Sequence, residues 1–369
     1  MSRGRLSDPS VTTVKGLVLA GGHGTRLRPL TFSGNKHMIP IANQPILFYG
    51  LRNLARAGVR DVGIVLGPVP EGIREVVGDG SGFGLNVSYI VQGEPRGIAH
   101  AILCAQEFLG ADPFLMYLGD NLLQSGLGPF VERFRAAGPD AVLGATPVPH
   151  PEAYGVIELE GERIVSLQEK PSHPRTNLAL IGVYLFTESI HPIVRQLAPS
   201  GRGELEITDA IWKLWQARGR VSVLQVDGWW KDTGRPQDLL EANELVLRTM
   251  PADGFRLEGT VEVGAIVEGP VGVGARTVVE SGARVVGPVI LGSDVRVGTG
   301  ATVGPHSSVG NRAVIERSSV RRSIVLEGAH IDGVRIVDSL VGRNVEVRSQ
   351  HPSEQEAVLT IGDSSRILL

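Results

Sequence analysis

The sequence predicts two folds in series: a mostly parallel α/β sheet up to about residue 248, then a parallel β-helix beyond residue 250. Three observations carry this. Apolar strands alternate with amphipathic helical stretches through the first part. A glycine-rich turn, Gly21–Gly24, follows the first strand at once. From Val261 to Ile315 an aliphatic residue stands at every sixth position.

The elements of the first part follow in order. "VKGLVLAGG" reads as a buried strand ending in a glycine turn, and "PILFYGLRNLARAGV" as an amphipathic helix closed by Gly58. "DVGIVLG" is the next strand, "GIREVVGDG" a short helix and "NVSYIVQ" a strand. "GIAHAILCAQEFLG" is a helix, and "PFLMYLGDN" a strand ending in a turn. Ligands of such sheets gather at the carboxyl ends of strands, where both the Gly21–Gly24 loop and "GDN" lie.

In the second part the ladder is Val261, Val267, Val273, Val279, Val285, Leu291, Val297, Val303, Val309 and Ile315. Four residues after each rung sits a small or β-branched residue, from Ala265 to Ser319. A period of six is the mark of a β-helix whose rungs point inward and whose three faces close a triangular coil. The phase breaks at Arg321 and resumes less regularly through Ile324, Leu326, Ile331, Ile336 and Val341.

Composition narrows the class. A net charge of −3 over 369 residues, with 20% charged, gives no sign of nucleic-acid binding or disorder. A single cysteine, Cys104, excludes an internal disulfide and fits a reducing, cytoplasmic setting. No apolar run approaches the ~20 residues of a membrane span. The opening "MSRGRLSDPSVT" lacks the apolar core of a signal peptide and reads as a polar leader.

The first loop resembles a phosphate loop but fits neither common template. A dinucleotide fingerprint needs a third glycine where Leu27 stands, and a P-loop needs Gly-Lys-Ser/Thr where Gly24-Thr25 leads to Arg26. Its amides at Gly21, Gly22, Gly24 and Thr25 are still open to an anion. Arg26 offers a planar fork, and Lys36 a mobile point charge ten residues on. The competing reading is an ordinary glycine turn in an arginine-rich chain.

At these residues "LVLAGGHGTRLRPLTFSGNK" resembles the signature of sugar-1-phosphate nucleotidylyltransferases, and "KHMIPIANQPILFYGL" that of glucose-1-phosphate thymidylyltransferases. The similarity continues through "VQGEPRGIAHAI", "MYLGDN", "AYGVIEL", "LQEKP", "GVYLF", "GRGELEITDA" and "GWWKDTGRPQDLLEAN", and the hexad region resembles the long form of that family. The resemblance implies a Rossmann-like nucleotidyltransferase domain at 14–248, a left-handed hexapeptide β-helix at 249–349 and a tail at 350–369. It implies that dTTP, or UTP, and a sugar 1-phosphate are joined with release of pyrophosphate, using Mg²⁺. It also implies a cytoplasmic homo-oligomer with no nucleic acid and no membrane as partner.

It further implies roles for residues. Gly21, Gly22, Gly24 and Thr25 hold the triphosphate, Arg26 the departing pyrophosphate and Lys36 the reacting phosphates. Gln92 and Gly97 read the base, a glutamine amide being able to donate and accept along the imide edge of thymine or uracil. Asp120 and Asp232 hold the metal, with Asp120 also beside the nucleotide. Asn121, Tyr154, Gly155, Glu169, Lys170 and Gly182 form the sugar-phosphate pocket, with Lys170 catalytic, and Arg202 orders a nearby loop or phosphate. One departure stands out: His37 follows Lys36 where many members carry glutamine. Trp229 and Trp230 either wall the site or pack in the core. A rival reading as a hexapeptide acyltransferase rests on His306 or His330. A non-catalytic regulatory subunit would lack Arg26, Lys36, Asp120, Lys170 or Asp232, and all are present.

Overall fold

The computed structural model describes residues 13–67, 72–349 and 355–369, so the expected leader lies outside the described residues except for Thr13. Two compact units emerge, one of residues through Gly22 with Leu47–Trp230, the other of His23–Ile46 with Lys231–Leu369. This division differs from the change of period near residue 248. The helix Pro236–Thr249 follows an α/β pattern locally, yet it packs against the strands Pro40–Ile41 and Ser307–Val309 of the second unit.

The first unit is built on a sheet with nine strands among the described residues. Phe114–Leu118, Lys15–Ala20, Asp61–Leu66 and Asn86–Val91 lie side by side and parallel. The first three read as continuous apolar runs, as strands buried on both faces should, whereas Asn86–Val91 at the end of the row is largely exposed. Leu178–Phe186 joins antiparallel to Phe114–Leu118 and carries Ala141–Pro147 and the hairpin Gly155–Glu160 with Arg163–Glu169. The sheet is therefore mixed, its parallel character confined to the early strands and to the Val221–Gln225 edge. The core over one part of the sheet gathers Leu17, Val65, Ile102, Phe114, Met116, Leu143, Phe186 and Ile211. Among the described residues no helix is long and apolar enough to cross a membrane.

The second unit contains the parallel β-helix. Among the described residues its three faces hold seven, six and six strands. Val261 lies beside Val279, then Val297, then Ile315, so three hexads make one coil. The interior is the ladder itself, with Val279, Val285, Val297, Val303, Val309 and Ile315 wholly enclosed. The third residue after many rungs is left-handed: Gly264, Arg276, Gly282, Asp294, Gly300 and Arg312. Those are the corners.

After Ile315 the ladder differs from the expectation. Val325 is the inward rung, paired with Val309 and Val341, while Ile324 and Leu326 lie outside the interior cluster. The cause is a run of steps one residue shorter, each turned by a left-handed residue two positions past its rung: Arg317, Arg322, Gly333 and Asp338. The β-helix also runs beyond the tail boundary expected at 349. Glu356–Ala357, Thr360–Ile361 and Arg366–Leu368 continue the three faces. With Ala357 on one rung, and only Ile361 and Ile367 six residues apart, that coil is too short to show a ladder in the sequence.

Candidate active site

In the first unit, the strand Lys15–Ala20 delivers Gly21 against the backbone of Gly67. A Cβ on Gly21 would stand 3.1 Å from Gln92 Oε1 and 3.2 Å from Gly67 N. Two sequence-predicted residues, Gly21 and Gln92, are thus neighbours. Gly22 follows, exposed. Gln92 Nε2 donates to Gly97 O (3.2 Å) and faces His100 Nδ1 (3.1 Å), whose other ring nitrogen lies 2.8 Å from Arg96 Nη2. Gly97 has no latitude for a side chain: its φ is +101° and a Cβ would meet Leu205 O at 2.5 Å. His100, which sequence reasoning did not single out, is neutral-leaning, because burial and then the Arg96 charge hold its pKa below the usual value. Burial also pushes the Cys104 thiol up, away from thiolate chemistry.

The turn after Phe114–Leu118 carries Asp120 and Asn121, both buried. Tyr117, packed into the space left by Gly50, donates its hydroxyl to Asn121 O. Asn121 Nδ2 donates to Asp120 Oδ1 (3.0 Å), and Asn121 Oδ1 accepts from the Trp230 indole (2.6 Å). The Tyr154 ring meets Trp230 edge-on at 5.3 Å. Trp230 therefore links Asn121 to Tyr154, which resolves the open reading of that tryptophan. A buried Trp uses its N–H when a partner is in reach.

Behind Tyr154 the hairpin brings Gly155 opposite Glu169. A Cβ on Gly155 would meet Thr208 Cγ2 at 2.7 Å and Glu169 Oε2 at 3.3 Å. Glu169 accepts from Thr208 Oγ1 (3.3 Å), with Arg202 Nη2 at 3.5 Å and Lys170 Nζ at 3.7 Å. Burial raises the Glu169 pKa, opposed by Lys170 and Arg202 and reinforced by Glu206. Arg202 also binds Glu206 at 2.9 Å and Glu204 at 3.2 Å, so its fork serves carboxylates and orders this loop. Lys170 sits at φ +43°, its N–H bonded to Tyr154 O (2.9 Å). A lysine in the left-handed region is strained, and its amide bond shows what holds it there. Gly182 stands in the bulge of Leu178–Phe186, where a Cβ would meet Leu118 Cδ1 at 2.5 Å. A cavity of about 440 Å³ lies on the other face of this hairpin, lined by Glu158, Ser166, Gln168 and Arg175 among others. None of the sequence-predicted site residues lines it, and Glu169 and Gly155 point the opposite way by strand alternation.

In the second unit, Gly24 (φ +62°) caps the short turn Thr25–Leu27, which leaves Thr25 and Arg26 exposed and Leu27 buried. A Cβ on Gly24 would press on Lys36 Cβ at 3.0 Å, so Gly24 and Lys36 are brought together. A Cβ on Gly234 would meet Arg26 Nη2 at 2.8 Å and Asp232 Oδ2 at 3.4 Å. The guanidinium and the carboxylate thus converge over bare backbone at Gly234, a residue the sequence reading missed. Lys231 faces away toward Asp238 (2.9 Å) and Glu241 (2.6 Å). Burial works against its charge, and those hydrogen bonds more than offset it.

His37 is explained by burial. It is 1% exposed, and Asn35 Oδ1 accepts from both its backbone N–H (2.9 Å) and its Nδ1 (2.7 Å). The imidazole closes the turn that presents Lys36. Of the rival's histidines, His330 is bound laterally by Glu316 (3.1 Å) and Arg348 (3.3 Å). His306, a left-handed corner, lies 3.9 Å from Glu244.

Residues 15–249 match the family model described as nucleotidyl transferase. A Streptomyces griseus protein named glucose-1-phosphate thymidylyltransferase is 48% identical, covering 96% of this chain and 99% of that protein. A Streptomyces antibioticus protein of the same name is 43% identical, with 96% and 99% covered. Among solved structures, one titled a putative glucose-1-phosphate thymidylyltransferase from Bacillus anthracis, in complex with a sucrose, superposes with a TM-score of 0.61. It is 34% identical and covers 65% of this chain and 97% of that one.

Proposed function

The chain belongs to the nucleotidyl transferase family, and from that premise we propose that it joins the thymidylyl group of dTTP to glucose 1-phosphate. The observation that carries this reading is end-to-end similarity to two proteins bearing that activity in their names, β-helix included. A phosphate oxygen of the sugar attacks the α-phosphorus in line. The new P–O bond forms as the bond to the β-phosphate breaks, and pyrophosphate leaves with the electron pair. No side chain needs to act as nucleophile, so the protein's work is positioning and charge stabilisation.

The residues divide accordingly. Amides of Gly21, Gly22, Gly24 and Thr25 receive the triphosphate. Arg26 neutralises the departing pyrophosphate and Lys36 the reacting phosphates. Gln92, held by Gly97 and His100, faces the base. Glu169 accepts from sugar hydroxyls, and Lys170 holds the sugar phosphate. Asp120 and Asp232 are the carboxylates for a divalent cation, Mg²⁺. Among the described residues no group of three or more His, Cys, Asp or Glu is assembled for a metal. Mg²⁺ asks for one or two carboxylates, phosphates and water rather than a protein cage. Held by Asp120 and Asp232, such a cation would supply positive charge against the phosphates.

The test is pyrophosphate release across dTTP, UTP, CTP, ATP and GTP with glucose 1-phosphate. The expected order is dTTP first and UTP next, since one methyl separates them by only ~1–3 kcal/mol. Release with UTP well above dTTP would replace thymidylyl by uridylyl transfer.

A further inference from the structure

The loop that carries Arg26 and Lys36 is fastened to the β-helix at two places. Past Lys36 the chain makes a hairpin, Pro40–Ile41 with Gln44–Pro45, turned by Ala42 (φ 45°) and Asn43 (φ 61°). Two successive left-handed residues are what the tightest hairpin turn requires. The tip is held on one face of the β-helix. Asn43 Nδ2 donates to Val309 O (2.7 Å). Ala42 N donates to Asn243 Oδ1 (2.9 Å), which also accepts from Ser308 Oγ (3.0 Å). Asn243 Nδ2 completes the set by donating to His306 O (3.2 Å), and the side chain is 1% exposed. One buried amide thus ties a helix, the hairpin and the β-helix together.

The second fastening is on the last coil. Asp363 Oδ1 accepts from Arg343 N (2.7 Å) and Oδ2 from Ser33 Oγ (2.7 Å). A Cβ on Gly362 would stand 3.1 Å from both Pro29 Cβ and Pro29 O, so the coil's turn lies flat against the loop. Ahead of Ser33 the loop is also tied to itself, Thr31 Oγ1 donating to Gly24 O (2.8 Å).

A loop of single turns has no repeating ladder to define it, so its anchors decide where its side chains stand. A misplacement of about 1 Å can cost a hundredfold in rate. We propose that the β-helix is a positioning element for the phosphate-binding loop, acting through Asn43 and Asn243 at one end and Asp363 at the other. The proposal rests on reading Arg26 and Lys36 as phosphate ligands.

The test uses the full chain. Asn43→Gly keeps the left-handed turn and deletes only the carboxamide; Asp363→Ala deletes the other anchor. Each lowers kcat for pyrophosphate release ~3–10-fold and the pair ~30-fold, within the range that small displacements produce. KM for glucose 1-phosphate and the thermal midpoint stay near the parent's, and amide hydrogen exchange across residues 24–38 quickens in the same order. Asp363→Asn, which keeps an acceptor for Arg343, recovers most of the rate. Unchanged exchange across 24–38 in the double variant overturns the proposal, and so does parent-level kcat despite quickened exchange. Arg26→Ala and Lys36→Ala separate the underlying reading: full turnover in both removes the loop from the chemistry, whatever the exchange shows.

Discussion

The sheet unit and the β-helix use the same rare backbone for different ends. Both hold residues in the left-handed region. In the β-helix these fall at fixed steps from the rungs, as Arg276, Asp294 and Arg312 do, with exposed side chains turned to lateral ion pairs. Around the residues proposed to hold the sugar phosphate they obey no period. Lys170 follows a strand, and Gly182 interrupts one. In the repeat, left-handedness is how a flat face turns a corner. Off the repeat it aims a charge or clears a path for backbone. An unusual φ therefore points to chemistry only where no architectural period accounts for it.

The comparison breaks most sharply at the carboxylates. Asp120 and Asp294 are both acidic residues in turns, one buried beside Asn121, the other paired with Arg276 at 2.6 Å on the surface. Asp120→Ala or Asp232→Ala is expected to lower Mg²⁺-dependent pyrophosphate release by about a thousandfold, the scale of one lost preorganised electrostatic group. Circular dichroism should show the fold intact. Asp294→Ala should leave turnover alone and shift the thermal midpoint little, as the loss of an exposed pair does. Full turnover in either metal-site variant would sink the assignment.

Left-handed residues sharpen it next. Lys170→Gly and Arg312→Gly both relieve a strain of about 1 kcal/mol. Arg312→Gly gives part of that back by losing its ion pair with Glu327. Thermal midpoints should therefore rise or hold in both. Only Lys170→Gly should lose activity, about a hundredfold, through the missing phosphate charge. Equal kcat/KM in the two variants would mean that the strain at Lys170 serves no chemistry.

Legibility followed the same line. The hexads were plain because each rung must be aliphatic, and the reading failed where Arg317 and Arg322 shortened the step without changing composition. The strands of the sheet were readable as apolar runs, but the hairpin carrying Gly155 and Glu169 adds strands antiparallel, which no local period announces. The family motifs named Gln92, Asn121 and Lys36. They did not name His100 or Asn35 and left Trp230 open between site and core, because the contributions of all three are hydrogen bonds that only the folded chain shows. His37 could not be placed from the sequence, because its neighbour in space, Asn35 Oδ1, decides its role.

Glu169 offers the smallest effect and the finest distinction. Burial holds its pKa above 4.5, despite Lys170, Arg202 and the Thr208 hydrogen bond. A carboxyl whose folded pKa exceeds its unfolded value weighs against folding when ionised. That burden is absent below about pH 4.5 and develops as pH rises through the folded pKa. Glu169→Gln removes it, so at pH 7 the variant should be the more stable protein, the difference closing toward pH 4.5 in matched urea titrations. Arg202 keeps Glu206 and Glu204 in that variant, so the change does not strand its charge. Glucose 1-phosphate should bind about tenfold more weakly, because a charged acceptor for sugar hydroxyls has become a neutral one. Gain of stability with loss of KM at one residue is the mark of a group kept ionised for its ligand. If the variant is instead less stable at pH 7 than at pH 5 relative to the parent, Glu169 serves to anchor Arg202 rather than to receive a sugar.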